Sequence, residues 1–137
     1  MKKETNAKKE NEFKPIHFLH MAKYLFKIAQ NDYPMPDSAY RTAIGRAYYA
    51  AFLEARIYAS ENMNFVCSKT GKDHTNLADF YKNSKDGTIR YIGEYLFKLK
   101  KWRTISDYDI PAEFKMPIKE QAKDAITHSM KIFSKLN

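Results

Sequence analysis

Cysteine is nearly absent. The single Cys67 excludes an intrachain disulfide and any CxxC metal pair, and no histidine stands beside it in its loop-like stretch. Four glycines and five prolines are too few for an all-β chain full of turns. No apolar run approaches the roughly 20 residues that a membrane-spanning helix needs. The lysine-led N-terminus, MKKETNAKKENEFK, is followed by no signal-type apolar segment, so the expected location is the cytoplasm. GxxxxGKS/T, GxGxxG and GxSxG are all missing, which removes phosphate-loop, dinucleotide-binding and hydrolase-elbow chemistries. SKTGKD has a phosphate loop's composition but not its spacing, and no strand precedes it.

What the chain does hold is aromatic, helical and basic. Ten tyrosines and nine phenylalanines among 137 residues mark a packed chain of one domain rather than a disordered one. A net charge of +8 favours polyanionic partners such as RNA or DNA. Alanine, leucine, lysine and tyrosine recur in helix-length runs.

Residues 1–13 read as a flexible polar tail, followed by one domain over 14–137. The first helix is expected from Pro15, which suits a first turn, to about Asn31, with Ile16, Leu19, Lys23, Phe26 and Ile28 on its face. The two prolines of DYPMPD break the chain. A second helix is expected over about 38–61, capped by Asp37 or Ser38. Its centre, AIGRAYYAAFLEARIYA, is apolar nearly all round, as befits the central helix of a bundle. A loop with Gly71 as its turn residue leads to a short helix over about 75–82, capped by Asp73 or a neighbour. A third long helix is expected over 88–104, then a connector, SDYDIPAEF, with Pro111 enforcing an extended step. The last helix is expected from near Pro117 to Leu136, carrying Ile118, Ala122, Ala125, Ile126, Ser129, Phe133 and Leu136 on one face. No alternating β pattern or internal repeat occurs. The fold class is all-α, an antiparallel bundle of four long helices plus one short one.

One residue breaks the helical pattern. Ile89, Ile92, Leu96, Leu99 and Arg103 recur at steps of three and four, so an apolar stripe ends in an arginine. Burying a guanidinium costs several kcal/mol unless it is paired. Asp107 stands four residues on, and a helix continued that far would form a structural Arg103–Asp107 ion pair, shielded by Trp102 and Tyr108. Arg46, in GRAYYAAF, is expected to stack on Tyr49 and reach a carboxylate on another helix; its alternative is a basic groove. Among the four histidines, His17 and His20 share a helix face but lack the further ligands zinc needs, and no metal or cofactor is expected. His128 flanks the last helix's core face as a boundary residue. His74 opens the short helix beside a lysine-rich loop, where capping or loop packing is its expected role.

Three segments, SAYRTAIGRAYYAAFLEARIYAS, GKDHTNLADFY and LKKWRTISDYDIPAEF, together resemble small stand-alone proteins of the HEPN superfamily (higher eukaryotes and prokaryotes nucleotide-binding). The likeness spans roughly residues 15–135. It implies a bundle of four or five helices, usually a homodimer. Many members are metal-independent RNases of toxin–antitoxin, CRISPR and anti-phage systems; some accompany a small nucleotidyltransferase, and others are non-catalytic binding modules. The catalytic branch carries an arginine, four to six residues, then a histidine. Arg103 fits the arginine, but Tyr108, Asp109 and Ile110 stand at the positions where the histidine would fall, and no arginine in the chain has a histidine at the required distance. The resemblance therefore implies a non-catalytic protein that binds RNA, a nucleotide or a partner protein, through Arg46, Arg103, Lys100 and Lys101. A divergent RNase site drawn from Arg103, His74 and Tyr108, with Arg46 as support, is its alternative, and a purely structural subunit a third.

Overall fold

The computed structural model describes residues 12–111 and 113–137. Its helices are α1 (Pro15–Ala29), α2 (Pro36–Asn62), α3 (Lys72–Lys82), α4 (Gly87–Tyr108) and α5 (Ile118–Leu136), with no strand among the described residues. The expected fold class and helix order hold. Residues 1–11 of the expected tail lie outside the described residues.

α2 is the central helix and packs against each of the other four. Ala39, Ala43, Ala47, Ala50, Ala51, Ala55 and Ala59 are buried along it, so neighbours approach its backbone closely, while Tyr40, Tyr48 and Phe52 fill the space between. Two buried hydroxyls use its carbonyls as acceptors. Ser129 Oγ of α5 donates to Ala47 O at 2.8 Å, and Tyr81 Oη of α3 donates to Ala55 O at 2.7 Å. Neither polar group is left bare in the core.

The boundaries differ from expectation where turn chemistry was misjudged. α1 ends at Ala29, two residues early, and Lys23 faces solvent rather than the core. α2 begins at Pro36, not after it: proline's missing N–H is harmless at a first helical position, and Met35 rather than Asp37 or Ser38 is the cap. Asp37 instead lies in the first turn and pairs with Arg41 at 2.7 Å. α3 begins at Lys72, with Gly71 before it at an ordinary φ of −59°, so no glycine is required there. The left-handed residues flanking that loop's course are Asn64 and Lys69. Ile110–Pro111 is a cis peptide bond.

The largest difference is at α4, which runs four residues past the expected Thr104. Asp86 starts it by accepting from the N–H groups of Thr88 and Ile89. Its far end is held from outside: Arg41 Nη1 donates to Ser106 O and Asp109 O, both at 2.8 Å. Carbonyls that a helix terminus leaves unpaired thus find a guanidinium on α2. Gly45 of α2 faces this turn, and a Cβ there would lie 4.0 Å from Arg103 Cγ and Asp107 Oδ1. α2 and the last turns of α4 are therefore in close register.

Candidate functional site

α2, α3 and α4 meet around one group of side chains. α2 contributes Arg46, Tyr48, Tyr49, Phe52 and Arg56; α3 brings Asp73 and His74; α4 adds Lys100, Arg103, Asp107 and Tyr108.

The α2–α3 loop is anchored first. Asp73, only 1% exposed, accepts from Ser68 N at 2.8 Å, Ser68 Oγ at 2.7 Å and Lys69 N at 3.1 Å, with Arg56 Nη1 at 3.4 Å. The Ser68 hydrogen bonds, backbone first and then hydroxyl, hold its carboxyl below the usual range against the opposing cost of burial; Lys69 and Arg56 add to them. Asp73 does not cap α3 as expected. It ties the preceding loop to the helix's first turn, and so fixes where His74 begins.

His74 lies flat on Phe52, with ring centroids 4.2 Å apart and planes 16° apart, and its Nδ1 meets the Tyr48 hydroxyl. Burial, then the charge of Tyr49, raises the Tyr48 pKa despite Arg103 nearby, so the phenol keeps its proton. That buried hydroxyl has no other partner among the described residues, so it donates to Nδ1 and leaves the imidazole proton on Nε2. The His74 pKa is lowered, first by burial and then by the charges of Lys100, Arg103 and Arg56, with Asp73 opposing. A neutral imidazole offering an Nε2–H is the result.

Arginines surround it. Arg103 and Arg46 lie 5.4 and 5.3 Å from the Tyr49 ring centroid, and Arg46 is also 4.4 Å from that of Phe18. Arg56 lies 5.1 Å from the Phe52 ring, and Lys100 Nζ donates to Thr75 Oγ1 at 3.2 Å. These cation–π contacts position the guanidiniums without neutralising them. Arg46 stacks on Tyr49 as expected but forms no ion pair among the described residues, so the carboxylate expected to receive it is replaced by two aromatic rings. Arg103 does pair with Asp107, Nε to Oδ2 at 2.9 Å. The N–H points off that line, however, so Nε has no aligned acceptor.

Of the residues singled out from sequence, Arg46, Arg103, Lys100 and His74 come together. Tyr108 sits at the rim, 69% exposed, with the Arg103 guanidinium 5.7 Å from its ring. Lys101 is exposed and makes no polar contact among the described residues. Sequence reading missed Tyr48 and Phe52 and put Arg56 on the Arg46 side of the helix without giving it a role. Their signal was present, since they share a flank of α2 with Tyr49 at helical spacing, but an all-round apolar helix does not reveal which flank opens to solvent. His17 instead accepts from the Lys14 N–H at the start of α1. His128 is more than a boundary residue: it stacks on Tyr95 at 3.9 Å.

Fold and site together define an all-α helical-bundle domain with a cluster of cationic and aromatic side chains where α2, α3 and α4 meet. The chain belongs to the HEPN family: the family model for the HEPN domain matches residues 17–137. It is 32% identical over 117 residues to an uncharacterised protein of Methanocaldococcus jannaschii, a match covering 75% of this chain and 69% of the relative. No solved structure matches.

Proposed function

We propose that this HEPN protein binds the phosphate backbone of single-stranded RNA, or a nucleotide, in the cleft between α2, α3 and α4, without cleaving it. One observation carries the reading: Arg46, Arg56, Lys100 and Arg103 gather around Tyr49, Phe52 and His74, against two nearby carboxylates, Asp73, which pairs with Arg56 and its own loop, and Asp107, which pairs with Arg103. The surplus positive charge suits a polyanion, and the Nε2–H of His74 suits a phosphate oxygen. A homodimeric assembly in a toxin–antitoxin or anti-phage setting, with or without a nucleotidyltransferase partner, fits the family.

Titrating a short labelled single-stranded RNA at rising salt tests it. Each phosphate contact contributes a slope of about −0.7 in log affinity against log salt, so four cations give about −3. An affinity that stays flat with salt would sink the proposal.

A second reading has one observation in its favour. The Arg103 charge is among those that act on His74, and His74 would then stand, from another helix, for the histidine missing after Arg103. In an RNase, Arg103 would stabilise phosphate charge while His74 moved the 2′-hydroxyl proton. Metal-independent RNA cleavage lost in both His74→Gln and Arg103→Ala would replace the binding reading with this one.

A further inference from the structure

A second basic cluster lies between α4 and α5, built from residues that the first cleft does not use. Tyr91 and Tyr95 of α4 pack with centroids 4.4 Å apart and planes tilted by 34°, and His128 of α5 stacks on Tyr95. Tyr91 Oη and His128 Nδ1 are 2.9 Å apart, so the imidazole fixes the direction of the phenol. Lysines close over the rings: Lys135 Nζ is 4.7 Å from the Tyr91 centroid, and Lys98 Nζ is 4.6 Å from that of Tyr95. Beside them is a groove of about 290 Å³ lined by Tyr91, Lys131, Ser134 and Lys135.

The charges in this groove are not balanced. Lys131 and Lys135 are one turn apart on α5, a like-charge arrangement that is unfavourable by itself. Neither they nor Lys98 form an ion pair among the described residues. The carboxylate near His128 is that of Asp124, on its N-terminal side. Burial first, then the Lys131 charge, lower the His128 pKa; Asp124 opposes them, and Lys98 adds a smaller push in the same direction as Lys131. Two ammoniums and the Ser134 hydroxyl make a donor-rich groove with room for a phosphate and the molecule that carries it. Stacking of a base is disfavoured, because Lys135 already covers one face of Tyr91 and Tyr95 packs beside the ring.

We propose that the α4–α5 groove is a second, separate phosphate-binding site, held by Lys131 and Lys135 with Ser134 as a hydroxyl donor and Tyr91 as its wall. Its ligand is a phosphate group, carried either by an RNA strand or by a small phosphorylated molecule. The proposal does not depend on the first cleft.

The test uses the full chain, with inorganic phosphate and adenosine monophosphate as probes and the His128 imidazole NMR signals as the readout. Saturable shifts of those signals are expected, persisting in Arg103→Ala. They are expected to weaken by about tenfold or more in the Lys131→Ala/Lys135→Ala double variant, as loss of charge-assisted contacts implies. Both lysines are exposed, so the variant keeps its core, and a native-like spectrum verifies this. Non-saturable shifts, or equal binding by the double variant, would overturn the site. Titration of the double variant with single-stranded RNA separates the two sources. Weakened RNA affinity together with lost phosphate binding assigns the phosphate to a strand. Unchanged RNA affinity with lost phosphate binding assigns it to a small molecule.

Discussion

Replacing Gly93 by alanine is expected to destabilise the protein by about 3 kcal/mol or more, the upper end of overpacking costs. A Cβ at this position would lie 2.7 Å from Ala78 O and closer still to Lys82 N. Both are backbone atoms of α3, so no side-chain rotation relieves the clash; α3 must move. That helix holds Leu77 and Tyr81 in the core and presents His74 to Tyr48 and Phe52. Thermal unfolding would therefore show a midpoint lower by roughly 10 °C, and RNA affinity would fall with it. A Gly93→Ala protein with wild-type stability would mean that α3 and α4 are not in such close contact.

Arg103 and Asp107 are expected to have opposite effects on RNA binding. Arg103→Ala removes a charged contact and weakens affinity by about tenfold or more, with a salt slope shallower by about 0.7. Asp107→Ala releases the guanidinium from its ion pair and removes a negative charge from the cleft, so affinity rises. Asp107→Ala should change stability little, because the pair itself is worth only a few tenths of a kcal/mol, whereas Arg103→Ala also loses the packing of a side chain only 23% exposed and costs more. RNA titrations alongside melting curves separate the possibilities. If both variants lose stability equally and neither alters affinity, the pair is structural and the cleft is not a binding site.

The Arg103–Asp107 pair was legible from spacing alone, given a helix long enough to include both. The sequence argued for an end near Thr104; the structure extends α4 because Arg41, 65 positions before Ser106, satisfies its terminal carbonyls. Such a contact between distant positions leaves no local periodic signal. The central place of α2 was legible for the opposite reason, since an alanine-rich helix without a polar face must be enclosed on most sides. Gly93 carried a readable but unused signal. A glycine inside a helix costs about 1 kcal/mol relative to alanine, and close approach of another backbone is the compensation here.

His74 marks where sequence reasoning stops. Its residue type and its loop were visible, but the partner that orients it, Tyr48, lies 26 positions away on another helix. The loop course is set by Asp73, whose composition suggested a helix cap and whose carboxylate instead binds Ser68 and Lys69. Both groups belong to the polar architecture of a helix junction, and that is fixed only when the helices are packed.

The central claim is that RNA phosphates lie in the cleft beside His74 and Arg103, and the pH titration of His74 by NMR tests it most directly. Free protein should titrate below the ordinary histidine value of about 6.5, because burial and then Lys100, Arg103 and Arg56 disfavour the imidazolium. A bound phosphate adds negative charge beside the ring, so its pKa should rise when a short single-stranded RNA is added. By linkage, RNA should then bind more tightly as pH falls through this range. Saturating RNA that leaves the His74 titration unchanged would place the strand elsewhere and contradict the account.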